Sequence, residues 1–284
     1  MSTRDQYPLS EEQIESYQKD GVICLRNVLD QARIERLRAA LEDVLAHPGP
    51  QAKAYDSGGQ GRFGYDTFMW TRNEEFWRLQ TDSAIPSITA RLMKSTVSHF
   101  MADVAFVKEP GTPTPTPWHQ DQPYGWYDGR QVISVWLALD RVTIESGALE
   151  YVLGSHRTES WFRPVSFDSG LDQDTEDFVP MPDIEGNRET YNITHFDVEP
   201  GDLLFHHLLI LHGSPGNSTT DRRRRAIAFR YTGDDATYAV RKVGPKPIFD
   251  PGLVHGDRFG CELFPQVWPP KPVPRLWEKR AKAS

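Results

Sequence analysis

A chain of 284 residues, 38% hydrophobic and 25% charged, carries enough apolar material for one sizeable core. Its formal net charge of −8 argues against a general nucleic-acid binder, whose affinity rests on Lys and Arg neutralising phosphates. Cys24 and Cys261 are the only cysteines and form no CxxC pair, which excludes a disulfide framework and a zinc–thiolate site.

The N-terminal stretch Met1–Tyr7 is polar, with no apolar signal core behind it, and no apolar run approaches the roughly 20 residues of a membrane helix. A cytoplasmic protein without membrane contact is expected. Ser10-Glu11-Glu12-Gln13 is a capping box, Leu9 and Ile14 sit where a hydrophobic staple forms, and Gly21 stops the helix. Val22–Leu25 reads as a short strand. Asp30 caps a second helix with Ile34, Leu37, Leu41, Val44 and Leu45 at helical spacing, ended by Pro48-Gly49-Pro50. The glycine-rich Ser57–Gly61 lacks the strand–turn–helix context and lysine of a phosphate loop and reads as a plain loop. A third helix runs from Ile85 to Met93 with Pro86 in its first turn.

From residue 97 the texture changes to short strands, at Val97–Lys108, Val132–Asp140, Ala148–Val152, His195–Val198, Asp202–His206 and Arg224–Tyr231, divided by Pro, Gly and Asp clusters. Strands without alternating helices point to an antiparallel sandwich or barrel. Thr158–Glu189 is an acidic, aromatic-bearing insertion of lid-like length. After Pro245 the Pro- and aromatic-rich tail is expected to wrap the core in extended form. One domain over 1–284 results, with a mainly helical flank (1–96), a β core (97–241) holding the 158–189 insertion, and a tail (242–284).

The sharpest chemical feature is His119-Gln120-Asp121. On a strand, residues two apart face the same side, so an imidazole and a carboxylate reach one ion. A 2-His-1-carboxylate set that binds Fe(II) on one face needs a second histidine from elsewhere. His206, His207 and His212 compete for that role. Adjacent His206 and His207 face opposite ways on a strand and read as packing or as hydrogen bonding behind the ligands, whereas Gly213 lets the backbone turn close to an ion beside His212.

Phe106–Gly111, Trp118–Asp121, Gly154–Arg157, Pro200–Asp202, His212–Ser214 and Asn217 together, in this order, resemble the phytanoyl-CoA dioxygenase family over about residues 10 to 235. The resemblance implies a mainly β fold with flanking helices around a double-stranded β-helix (jelly-roll, cupin-like) core. It implies Fe(II), 2-oxoglutarate and O2 as cofactor and co-substrates, with His119, Asp121 and His212 as metal ligands. It also places an arginine soon after the distal histidine to take the far carboxylate of 2-oxoglutarate. The usual interval lands on Arg223, but alternation puts Arg224, Ala226 and Ala228 on one face, with room for a ligand, so Arg224 is expected to bind. Trp136 and Lys108 resemble family residues of the same co-substrate pocket, while His156 is expected to close a turn. Gln122, Tyr124, Trp126 and Tyr127 are candidates for the pocket wall.

The expected function is hydroxylation of an unactivated C–H bond of a small organic molecule, with release of succinate and CO2. Halogenating relatives carry a small residue at the carboxylate position, so Asp121 favours hydroxylation over halogenation. Desaturation shares the same ligands. A non-catalytic metal- or anion-binding jelly roll and a zinc hydrolase are the competing classes.

Overall fold

The computed structural model describes residues 7–56, 62–158, 160–164, 178–242 and 244–281. The glycine-rich Ser57–Gly61 and the middle of the 158–189 insertion lie outside the described residues. Among the described residues, two main sheets, a two-stranded pair and a helical layer build the molecule, and the sequence pattern of each main-sheet strand decides which layers it touches.

The first helix, α1 (Glu11–Asp20), starts as the capping box requires: Ser10 Oγ accepts from the Gln13 amide at 3.2 Å while the Gln13 side chain accepts from the Ser10 amide at 2.9 Å. β1 (Val22–Leu25) follows, and then α2 (Gln31–Ala46), whose first turn is capped by Asp30. The helical flank is shorter than the sequence suggested. β2 (Lys53–Asp56) and β3 (Arg62–Thr67) form a hairpin that joins the core sheet, and only then come α3 (Glu74–Thr81) and α4 (Ile85–Leu92). Local alternation in β2 and β3 is weak, and pairing with a long neighbour strand supplies what local preference lacks.

The remaining strands are β4 (Ser98–Lys108), β5 (Thr116–His119), β6 (Tyr127–Asp128), β7 (Val132–Ala138), β8 (Glu150–Val152), β9 (Ile193–His195), β10 (Leu203–His207), β11 (His212–Ser214), β12 (Arg224–Thr232), β13 (Thr237–Tyr238) and β14 (Gln266–Trp268). Among the described residues, eight form an antiparallel major sheet in the order β1-β10-β7-β12-β4-β3-β2, with β14 also on β4, and four form a minor sheet, β5-β11-β8-β9. The strand expected at His195–Val198 begins and ends earlier, because Ile193–His195 is what pairs with β8. The tail is not extended throughout. β14 extends the major sheet, and α5 (Leu276–Ala281) sets Trp277 edge-on to Trp77, ring centroids 6.1 Å apart.

The major sheet explains the core. Ile227 and Phe229 on β12, Val135 and Leu137 on β7, and Leu203 and Phe205 on β10 point to the helices and join the larger apolar cluster. The alternate positions, Ala226, Ala228, Trp136, Ala138 and Leu204, point to the minor sheet and join a second cluster with Leu149 and Tyr151. This two-sheet antiparallel sandwich is the jelly roll expected from the sequence. Its inner face, lined by alanines where β12 and β7 cross the middle, is where the site lies.

Candidate active site

His119 ends β5 and His212 begins β11, and the two are direct antiparallel partners, with Tyr151 of β8 on the far side of His212. Ladder pairing places the imidazoles 4.2 Å apart, centroid to centroid. Gly213 keeps the strands close, since a Cβ there would lie 3.1 Å from the Thr116 carbonyl. Its role is thus close strand approach and not the turn expected from the sequence.

Asp121 reaches the histidines differently from the strand alternation expected of it. Its backbone is helical (φ −78°, ψ −35°) and opens a 3-10 turn, Gln122–Tyr124, held because the Asp121 and Gln122 amides both donate to the Leu208 carbonyl at 2.9 Å. The carboxylate then lies 3.6 Å from His119 Nε2. One ligand atom each from His119, Asp121 and His212 falls within 4.8 Å of the others, all three residues buried.

Hydrogen bonds select which nitrogens face the ion position. His119 Nδ1 pairs with the Pro117 carbonyl at 2.8 Å and His212 Nδ1 with that of Ile210 at 3.1 Å. With Nδ1 as the donor, each ring turns its Nε2 toward the ion position. Burial, with His119 beside it, pushes His212 well below its ordinary pKa, so it is neutral and able to ligate. Burial alone would raise the Asp121 carboxyl, but Arg230 and the surrounding histidines outweigh it and hold the group well below the usual carboxylate range.

Two residues that the sequence reading left out, or set aside as packing, belong to this centre. One row across the major sheet aligns Val22, His206, Ser134, Arg230 and Ala102. Arg230 Nη2 donates to Asp121 Oδ1 at 3.2 Å. His206 Nε2 lies 3.8 Å from Asp121 Oδ2, while its Nδ1 meets the Tyr151 hydroxyl at 3.3 Å across the sheets. Extending the alternation Arg224, Ala226, Ala228 by one step reaches Arg230. His207, facing away, packs on His156 and contacts the Arg130 carbonyl at 2.8 Å.

The arginine run divides by register. Arg224 is 2% exposed, sits 5.6 Å from the Trp136 ring centroid, and its Nε has no hydrogen-bond partner among the described residues. Burial pushes it down to about 10, which leaves it charged at neutral pH. Arg223 turns outward to Glu109 and Glu42, each at 3.0 Å. Lys108 does not reach the cavity wall. It is Arg224's cross-strand partner, and its Nζ donates to the Pro215 carbonyl at 2.7 Å. Burial first, and Arg224 second, push it down to about 6, so it is neutral at pH 7.

These groups open on one cavity of about 670 Å³, whose wall includes His119, Asp121, His206, His212, Arg224 and Arg230. Trp136 and Ala228 lie on its wall between the two arginines, and Phe68, Trp126 and Tyr127 form an apolar part, Phe68 stacking on Trp126 at 5.6 Å. Tyr124 lines it too. Gln122 does not, donating instead to the Gly129 carbonyl at 2.9 Å. His156 sits in a 3-10 turn with Nε2 3.1 Å from the Gln18 carbonyl, far from ligation.

The chain is similar to known proteins in both sequence and fold. The family model for phytanoyl-CoA dioxygenase matches residues 17–226. A probable phytanoyl-CoA dioxygenase of Caenorhabditis elegans is 25% identical over 266 residues, covering 85% of this chain and 81% of its own. The peroxisomal phytanoyl-CoA dioxygenase of Rattus norvegicus is 25% identical over 252 residues, covering 83% and 72%. Among solved structures, the non-heme alpha ketoglutarate dependent carbocyclase SnoK from nogalamycin biosynthesis superposes with a TM-score of 0.74 at 26% identity, covering 92% of this chain and 97% of that one. The related epimerase SnoN superposes with a TM-score of 0.71 at 23% identity, covering 90% and 97%.

Proposed function

The chain belongs to the phytanoyl-CoA dioxygenase family, and on that premise we propose that it is an Fe(II)- and 2-oxoglutarate-dependent oxygenase that hydroxylates a C–H bond of a small organic molecule, with His119, Asp121 and His212 holding the iron. The observation that carries the reading is the buried set of two imidazoles and one carboxylate whose ligand atoms converge on one point at the wall of a cavity.

The residues fit both absent groups. His119 and His212 each present an Nε2 fixed by an Nδ1 contact, and Asp121 presents an oxygen whose charge Arg230 favours. Arg224 is a buried cation without a carboxylate among the described residues, at the end of an alanine-floored trough. That is an expensive arrangement unless an anion completes it. A dicarboxylic acid with one end at the triad and the other at Arg224 would complete it, with Trp136 stacked on the guanidinium to hold the planar fork in place. Bound here, iron with 2-oxoglutarate and O2 supplies the oxidising power, with succinate and CO2 as by-products. The protein's share is to orient the two ligands and to wall the substrate with Phe68, Trp126 and Tyr127 so that water is excluded.

Two names among the structural neighbours, a carbocyclase and an epimerase, say that such a fold also hosts other oxidative outcomes. Asp121, which leaves no space for a halide ligand, disfavours halogenation, whereas hydroxylation, desaturation and ring chemistry share this ligand set. Cys24 and Cys261 are free thiols, which suits a reducing compartment such as the cytoplasm.

The test is incubation of anaerobically purified protein with Fe(II), 2-oxoglutarate and O2. Slow substrate-free succinate formation and a visible Fe(II)–2-oxoglutarate charge-transfer band are expected, both lost in His212→Ala. A wild-type protein showing neither sinks the reading.

A further inference from the structure

Beside the metal position stands a cation whose fork is only partly used. Among the described residues, Arg230 makes one hydrogen bond, through Nη2 to Asp121, and its side chain keeps 19% of its surface accessible on the cavity wall. Its neighbours across the ladder are Ala102 on one side and Ser134 on the other, both too small to cover the guanidinium.

Charge accounting around the cavity points the same way. Among the described lining residues, Asp121 is the only carboxylate, against Arg224, Arg230, Lys53 and Lys246. With the co-substrate bound, a metal dication and a 2-oxoglutarate dianion cancel, and Arg230 cancels Asp121. With Arg224 facing the far carboxylate, the sum over these groups is still one net positive charge in a buried site. Lys108, neutral at pH 7, adds nothing. An uncompensated buried charge is costly, and the remaining volume is bounded by Phe68, Trp126 and Tyr127.

We infer that Arg230 determines substrate charge: one N–H tethers Asp121, and the rest of the fork receives the carboxylate or phenolate of a substrate with an otherwise apolar body. The anion anchors beside the metal, and the apolar body lies against the aromatic wall. This rests on the oxygenase reading above, and takes it one step further, from a small molecule to an apolar acid.

The test is anaerobic calorimetry on protein saturated with Fe(II) and 2-oxoglutarate, so that the Arg224 position is filled. The probes are three pairs differing only in the anion: benzoate and benzyl alcohol, 1-naphthoate and 1-naphthalenemethanol, decanoate and 1-decanol. For the best-fitting pair, the acid is expected to bind at least tenfold tighter than the alcohol. Arg230→Met and Arg230→Gln should each reduce that preference below twofold. Gln keeps a donor for Asp121, so it carries the test should the Met variant fail to fold or to hold iron. The inference is overturned if no acid binds, if the alcohol binds as tightly, or if the preference survives loss of the guanidinium. The charge-transfer band, recorded on the same wild-type samples, separates the two claims. Its absence sinks the oxygenase reading, whereas a normal band without an acid preference sinks this inference alone.

Discussion

Replacing Arg224 by Met should produce opposite effects on the free and the ligand-bound protein. In the free protein the guanidinium is 2% exposed, with Trp136 against its face and no carboxylate partner among the described residues. Exchanging an unpaired buried charge for an apolar side chain of similar reach is neutral or stabilising, so the apparent melting temperature should stay level or rise. Removing one partner of a buried, hydrogen-bonded charge pair costs about 2–5 kcal/mol, which raises the dissociation constant for 2-oxoglutarate about thirtyfold to a few thousandfold. At a 2-oxoglutarate concentration about 100 times the wild-type constant, wild type gains about 2.7 kcal/mol, and the variant about 0.9 kcal/mol or less. For a chain of this size that separates ligand-induced shifts of roughly 5–10 °C from roughly 3 °C or less. Thermal melts with Fe(II) under nitrogen, with and without 2-oxoglutarate, read both signs at once. Arg223→Ala, which breaks half-exposed pairs with Glu42 and Glu109, should leave 2-oxoglutarate affinity within twofold. An Arg224→Met protein binding within threefold of wild type, or an Arg223→Ala protein losing as much, would refute the register argument.

His206→Gln should weaken Fe(II) affinity by roughly 10–100-fold while leaving a metal-binding protein, because His206 touches Asp121 and not the ion position, whereas His212→Ala should abolish binding; equal losses in a metal titration would contradict that division. Asp103 is fully buried and accepts from the Met69 amide at 2.6 Å and the Trp70 amide at 2.8 Å. Burial pushes it up to about 7. Its folded value lies above its ordinary one, so its stabilising share is complete below about pH 4 and is lost as pH rises through 7. Urea midpoints from pH 4.5 to 8 should therefore fall for wild type relative to Asp103→Asn, and a constant gap between the two proteins would count against the assignment. Gly201 sits at φ +101°, and a Cβ there would lie 2.4 Å from the Leu29 carbonyl. Gly201→Ala should cost about 2 kcal/mol or more, a fall of roughly 4–8 °C in melting temperature, and an unchanged melt would show that the turn can relax.

How much of this was readable beforehand differs by the range of the interactions involved. Signals carried within a few residues were clear: Ser10 with Gln13, Asp30 before Gln31, and the alternation Arg224, Ala226, Ala228 that separated Arg224 from Arg223. The metal triad could be named because His-x-Asp and His-Gly are local patterns. Its geometry could not, since Asp121 is positioned by the hydrogen bond its amide donates to the Leu208 carbonyl, a contact invisible in sequence. Arg230 and His206 were obscured for a related reason. Each is an ordinary strand residue until ladder pairing sets His206, Ser134 and Arg230 in one row. Lys108 shows the converse error. The family resemblance placed Lys108 at the co-substrate pocket, but its Nζ turns onto the Pro215 carbonyl and the residue does not line the cavity. The β2–β3 hairpin and α5 escaped because their order comes from long-range pairing and from burial of Trp77 against Trp277, which local preference does not report.

The direct pairing of His119 with His212 has a consequence for how this chain can vary. Because ladder register and not chain length sets the distance between the two imidazoles, a loop between β5 and β11 can change in length without moving one histidine from the other. Doubling a flexible loop costs only about 0.6 kcal/mol in closure entropy. The 158–189 stretch falls inside that interval, so a change in its length leaves the two imidazoles facing each other.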